Sequence, residues 1–92
     1  MRHVVVTTDK RGVFFGELTN HDKAEKTVDL KDAQMCVYWT EETRGVLGLA
    51  ATGPLKGCKT TPIIPGIFLN EVTSVMDVTP EAAKAWKEMP WD

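Results

Sequence analysis

The run Gly53-Pro54-Leu55-Lys56-Gly57-Cys58-Lys59-Thr60 comes near to spelling a Walker A loop. In that motif glycines let backbone amides approach phosphate, while the lysine and the hydroxyl reach the terminal phosphate and Mg²⁺. The match fails on particulars. Cys58 stands where the second glycine is required, Pro62 falls where a long helix should begin, and no Walker B strand follows. A weaker chemistry survives: a glycine-rich turn with free amides beside lysines makes an anion-binding nest without NTP hydrolysis. Gly48, Thr52, Gly53, Lys56, Gly57, Lys59 and Thr60 are the residues that would build it. Functional residues favour long loops held on a rigid scaffold. The competing reading is that these glycines and prolines only route the chain over the domain surface.

Other chemistry-bearing residues are scattered. His3 and His21 have no second His or Cys at ligand spacing, so no metal site is expected. Cys58 paired with either histidine would form a nucleophile and base, but no third orienting group or motif accompanies them. Asp22, Glu25, Asp29, Asp32, Glu41 and Glu42 read as turn and surface carboxylates rather than an acid/base pair. No cofactor is expected, and no set of residues offers a complete assignment of catalytic roles. Tyr38, Trp39, Trp86 and Trp91 supply broad flat surfaces, which pack cores by default but also fill protein interfaces or stack on bases. Tyr38, Trp39 and Trp91 are the interface candidates; Trp91, after Pro90, is buried only if the tail docks.

Composition bounds what these residues serve. The chain has 92 residues, 42% hydrophobic and 26% charged, which suits one globular domain spanning 1–92. A chain this short buries a modest fraction of its surface, so association between copies is expected. The formal net charge is −2, with Lys and Arg interleaved with acids along the length. That balance speaks against non-specific nucleic-acid binding, which needs many phosphate contacts. Met1 to Val6 turns polar at Thr7-Thr8-Asp9-Lys10, too soon for a signal-peptide core or a membrane span, so a cytoplasmic location is expected. Cys36 and Cys58 lack C-x-x-C spacing and read as free thiols.

The elements that must position these residues read as mainly β. Val4 to Thr8 is a β-branched strand closed at Asp9 to Gly12, and Val13 to Leu18 follows, bent at Gly16. Thr27 to Lys31 alternates with Val28 and Leu30 inward; Ala33 to Thr40 alternates again with no polar face, so both its sides should be covered. Gly45 to Gly66 breaks into glycines, prolines and small residues and reads as one long loop, partly packed through Leu47, Leu49, Ile63 and Ile64. Ile67 to Leu69 and Val72 to Val78 close the sheet, split near Asn70-Glu71. Thr79-Pro80-Glu81 is a helix start, and Ala82, Ala85, Trp86 and Met89 fall at helical spacing before Pro90, giving a short C-terminal helix over about 80–89.

This order of a bent Gly-containing strand, an amphipathic strand, an aromatic strand and two short strands split at Asn70-Glu71-Val72 resembles the SH3-like or Sm-like small β-barrel of about five strands. Sm proteins usually carry their helix first and lack the long loop, which sets an RNA-binding role against the pattern. At residue level, Arg11-Gly12-Val13-Phe14-Phe15-Gly16, Gly48-Leu49-Ala50-Ala51-Thr52-Gly53-Pro54, Val72-Thr73-Ser74-Val75 and Thr79-Pro80-Glu81-Ala82 are similar to a family of short uncharacterised phage and prophage proteins. That resemblance implies takeover of a bacterial cell by sequestering a partner. The expected function is therefore a non-catalytic, homo-oligomeric binding protein for a small anionic, nucleotide-like ligand with an anti-defence role. A protein-interaction module acting on a host factor and an Sm-like RNA-binding protein are the alternatives.

Overall fold

The computed structural model describes residues 2–9, 12–55 and 57–89. The chain runs β1 (His3–Thr8), β2 (Val13–Asp22), β3 (Thr27–Tyr38), a 3-10 turn at Glu41–Thr43, α1 (Gly45–Ala51), β4 (Lys59–Thr60), β5 (Ile64–Leu69), β6 (Val72–Asp77) and α2 (Pro80–Glu88). All strand pairs are antiparallel, in the order β4-β3-β2-β1-β6, with β5 also paired to β3. β3 is long enough to hold two partners on one edge: Val28 to Ala33 pair with β5, and Cys36 to Tyr38 with β4.

Alternation in β1 divides the core in two. Val4 and Val6 face a cluster with Val28, Leu30, Ala33, Leu69 and Val72. Val5 faces the other way, into Val13, Phe15, Cys36, Leu49, Ala50 and Trp86. A strand covered on both faces reads as a continuous apolar run, which is the pattern of Val4-Val5-Val6, all fully buried.

The bend expected at Gly16 is a β-bulge. Between the pairs Phe15–Gln34 and Glu17–Lys31, β3 carries one residue more than β2. Asp32 absorbs it with a left-handed φ of 51°. A side chain at Gly16 would crowd Leu30 Cβ and the Lys31 carbonyl at 3.1 Å, so the close approach needs glycine. The bulge shifts the phase of β3, and both Leu30 and Ala33 reach the same cluster.

The sheet curls. β5 and β6 are joined by only Asn70 and Glu71, yet they pair with β3 and β1, which β2 separates. Glu71 takes a left-handed φ of 54° and its carbonyl accepts from the Asp9 N–H at 3.0 Å, while the Val72 N–H donates to the Lys26 carbonyl at 3.0 Å. No ladder joins β5 to β6 among the described residues, and the sheet is open.

The helix start at Thr79 matches its sequence signature: Thr79 Oγ1 accepts from the Ala82 N–H at 3.0 Å and Pro80 opens α2. The same hydroxyl donates to the Ala51 carbonyl at 2.7 Å. One threonine thus caps α2 and ties it to the end of α1. Ala82 and Trp86, one turn apart, are both fully buried, and Trp86 enters the second cluster with Ala83 packed against it.

Three expectations are corrected. Six strands form rather than about five. Gly45 to Gly66 is not a loop but holds α1, β4 and the start of β5. Val46, Leu49 and Ala50 stand at helical spacing and pack on the second cluster, which stabilises a helix that the interior Gly48 disfavours by roughly 1 kcal/mol. Of the strand expected over Ala33 to Thr40, Ala33 to Tyr38 is the continuation of β3, and its far end is not covered on both sides: Val37 and Tyr38 are exposed. The pairing with β4 lasts only two residues and offers no further layer.

Candidate functional site

The residues of the proposed anion nest occupy separate roles. Gly48 lies in α1, where an added Cβ would collide with the Thr43 carbonyl. Gly53 has a left-handed φ of 80°, and a Cβ there would come 2.6 Å from Ala85 Cβ on α2. Both glycines therefore permit close packing of backbone. Thr52 Oγ1 donates to the Gly48 carbonyl at 3.0 Å, finishing α1. Gly57 turns the chain at a φ of 100°, and the Cys58 N–H donates to the Leu55 carbonyl at 3.0 Å. Lys59 is exposed in β4, and Thr60 beside it is buried, its Oγ1 making no hydrogen bond among the described residues. Lys56 and Trp91 lie outside the described residues. Tyr38 is exposed, whereas Trp39 is half-buried against the second cluster.

The thiols are interior groups. Cys58 Sγ lies 3.1 Å from Thr43 Oγ1, and Cys36 Sγ–H donates to the Tyr38 carbonyl at 3.4 Å. Burial first, then the neighbouring Cys58, pushes the Cys36 thiol up to about 11. A thiol so held is a poor nucleophile. Among the described residues no three of His, Cys, Asp and Glu converge as metal ligands, and no helix is long and apolar enough to cross a membrane.

A different constellation is brought together by the sheet register. Phe15 stacks on Trp86 with ring centroids 5.0 Å apart and planes 4° from parallel, and on His3 at 5.5 Å and 10°. The far end of this three-ring array is anchored. Trp86 Nε1–H donates to the Leu49 carbonyl at 3.0 Å, and the buried Gln34 amide donates to the Trp86 carbonyl at 2.8 Å. Each buried polar group on the array is thereby satisfied.

The near end opens on a cavity of about 440 Å³ lined by His3 and Phe15 together with Glu17, Lys31, Asp32, Ile63 and Lys87. Register explains the gathering. His3 stands opposite Glu17, and Glu17 opposite Lys31, so three strands present a row of polar side chains just past the edge of the apolar cluster. The Asp32 bulge adds a carboxylate, and α2 brings Lys87 from its last turn. No lysine here is within ion-pair distance of a carboxylate among the described residues, where the ion pair is Arg2 with Asp77 at 2.6 Å. Burial, followed by the nearby Lys87 charge, lowers the His3 pKa below its ordinary 6.5, with Glu17 opposing. That shift favours the neutral ring, which has the character of a stacking surface.

This cavity is only partly legible in the sequence. The alternation of His3 with Val5 and of Phe15 with Glu17 puts each pair on one face, which is visible in the chain. That the two pairs meet, and that Lys87 arrives from residues near the end of α2, depends on pairing across strands and helix docking.

No curated protein and no solved structure matches the chain. Residues 1–86 match a family described as a domain of unknown function (DUF6948), and the chain belongs to that family.

Proposed function

We propose that this protein is a non-catalytic binding module for a small, planar, anionic ligand of nucleotide-like chemistry, seated in the cavity at the His3 end of the aromatic array. The observation that carries this is the anchored stack His3–Phe15–Trp86 opening into about 440 Å³ beside Lys31 and Lys87. A neutral imidazole over Phe15 offers an aromatic face for a heterocycle. Glu17 and Asp32 accept from exocyclic amines and ring N–H groups, and the two lysines serve phosphate as point charges. Ligand pockets characteristically combine apolar walls with a few polar groups of this kind. The anion nest built around Gly53 and Lys59 has less support, because close approach to the Thr43 carbonyl accounts for Gly48 and close approach to α2 for Gly53.

The curled sheet is read as a small SH3-like or Sm-like barrel, a reading supported by the two-residue turn between β5 and β6. The similarity to short phage proteins supports a setting in which sequestering a host nucleotide signal in the bacterial cytoplasm serves the virus. Calorimetric titration with AMP, a cyclic mononucleotide and a cyclic dinucleotide tests the reading. Wild type is expected to bind at least one of them, and Lys31→Ala or Lys87→Ala to weaken it about 10-fold or more, about 1.4 kcal/mol. Lys59→Ala should leave it unchanged. Failure of wild type to bind any of the three, or loss on Lys59→Ala alone, overturns the site.

A second reading, a module that blocks a host protein, is favoured by exposed Val37 and Tyr38 running into the acidic turn Glu41-Glu42. Stoichiometric capture of a bacterial protein, lost on Tyr38→Ala, would support it. The net charge of −2 leaves Sm-like RNA binding with the least support.

A further inference from the structure

The cavity at the His3 end of the aromatic array is lined by charges of both signs. Beside Lys31 and Lys87 it holds two carboxylates, Glu17 and Asp32. A site for phosphate alone would be served by the lysines, and both acids would oppose the ligand's charge. A carboxylate only accepts hydrogen bonds, so this pair of acids suits an anion whose uncharged part carries N–H donors. The backbone sets where the first of them stands. Glu17 is directly opposite His3 in the β1–β2 register, so the two side chains leave the same face of the sheet about 5 Å apart. A planar group laid on the His3 ring therefore brings its edge to Glu17.

The second acid is held there at a cost in backbone conformation. Asp32 takes its φ of 51° at the bulge, a region where glycine is unstrained. Aspartate tolerates it better than most residues, and so does asparagine, so the bulge itself needs no charge. Strained positions gather at ligand sites, and this one puts a second carboxylate on the wall that already carries Glu17. Both acids lie close enough to His3 for their charges to act on its ring.

We propose that the base recognised in this cavity is guanine, an inference that rests on the ligand-site reading above. Guanine presents its N1–H and N2 amine side by side, so both oxygens of one carboxylate accept from it, and the second N2 hydrogen remains for the other acid. Adenine offers its N6 amine beside the N1 lone pair, and cytosine its N4 amine beside the N3 lone pair. Either sets a lone pair against a carboxylate oxygen. Uracil has a single N3–H between two carbonyls. The lysines do not select among bases, because every base has acceptors that an ammonium can meet; the carboxylates do. With the ring on His3 and its edge held by Glu17 and Asp32, Lys31 and Lys87 are left for phosphate.

Calorimetric titration of the full chain with the four ribonucleoside monophosphates and inosine monophosphate, at one pH and salt concentration, tests it. Wild type is expected to bind guanosine monophosphate about 10-fold or more tightly than the adenosine, cytidine and uridine compounds, since charge-assisted hydrogen bonds are at stake. Inosine monophosphate, which keeps N1–H but lacks the N2 amine, should fall in between. Glu17→Gln and Asp32→Asn preserve side-chain size, and each should shrink the guanine preference about 3-fold or more with an unchanged circular dichroism spectrum. Adenosine or inosine monophosphate bound as tightly as guanosine monophosphate overturns the inference and leaves the binding module standing. So does a guanine preference that survives undiminished in either folded variant. If no nucleotide binds, cyclic ones included, the ligand site and this inference fall together.

Discussion

The two faces of the sheet are finished by different means. On the face of Val5, Phe15 and Cys36, α1 and α2 lie across the strands, and buried Trp86 and Gln34 have polar partners as well as packing. On the face of Val4, Leu30 and Leu69, the cover is the sheet itself, curled until β5 and β6 approach through a two-residue turn. The helix-covered face ends in an anchored aromatic array and a polar cavity. The self-covered face ends in an uncharged edge with Phe68 in solvent. Helices bring their own satisfied backbone and can close a core fully, whereas a curled sheet closes one only as far as its last strand reaches.

Trp86→Ala should break the helix-covered side most severely. Removing a fully buried ring stacked on Phe15 is expected to cost about 3–5 kcal/mol in denaturant unfolding. If the loss were below about 1 kcal/mol, the asymmetry between the faces would have no energetic basis. Gly53→Ala comes next, at about 1–3 kcal/mol, because it combines a left-handed φ with a Cβ 2.6 Å from Ala85. Gln34→Leu should cost less, about 0.5–1.5 kcal/mol, since the Trp86 carbonyl loses the Gln34 amide and keeps only the longer 3.4 Å bond from the Met89 N–H. Phe68→Ala, on the other side, is expected within about 0.5 kcal/mol of wild type when measured on single chains. A large loss there would show that β5 is a core strand and not an open edge.

The smallest effect concerns protons. His3 in the folded chain titrates below 6.5, so as pH falls through that value the unfolded chain takes up a proton first. In that window the unfolded state binds more protons, and stability declines with falling pH. Thermal unfolding followed on either side of pH 6.5 should show a drop on the acid side that His3→Phe reduces. An unchanged acid dependence in that variant would remove His3 from the packed array.

Much of the scaffold was legible in the chain. Val28 and Leu30 alternate with polar neighbours, Gly16 marks the bend, Asn70-Glu71 the split and Thr79-Pro80-Glu81 the helix start, and each appears where its local chemistry places it. These are short-range effects of side-chain period, glycine geometry and capping. α1 was hidden because its glycines oppose helix locally, and only contact with Trp86 and β1 makes the seven-residue segment hold.

What residues alone determined was a β-rich chain with a capped terminal helix, since hydrophobic period and backbone preference act over a few neighbours. What tertiary structure decided was which residues meet: His3 with Phe15 and Lys87, Gly48 with Thr43, and an uncharged strand left at the rim. Those meetings depend on strand register, one bulge at Asp32 and the docking of two helices. A one-residue slip in register turns a strand's side chains to the opposite face without altering its sequence pattern.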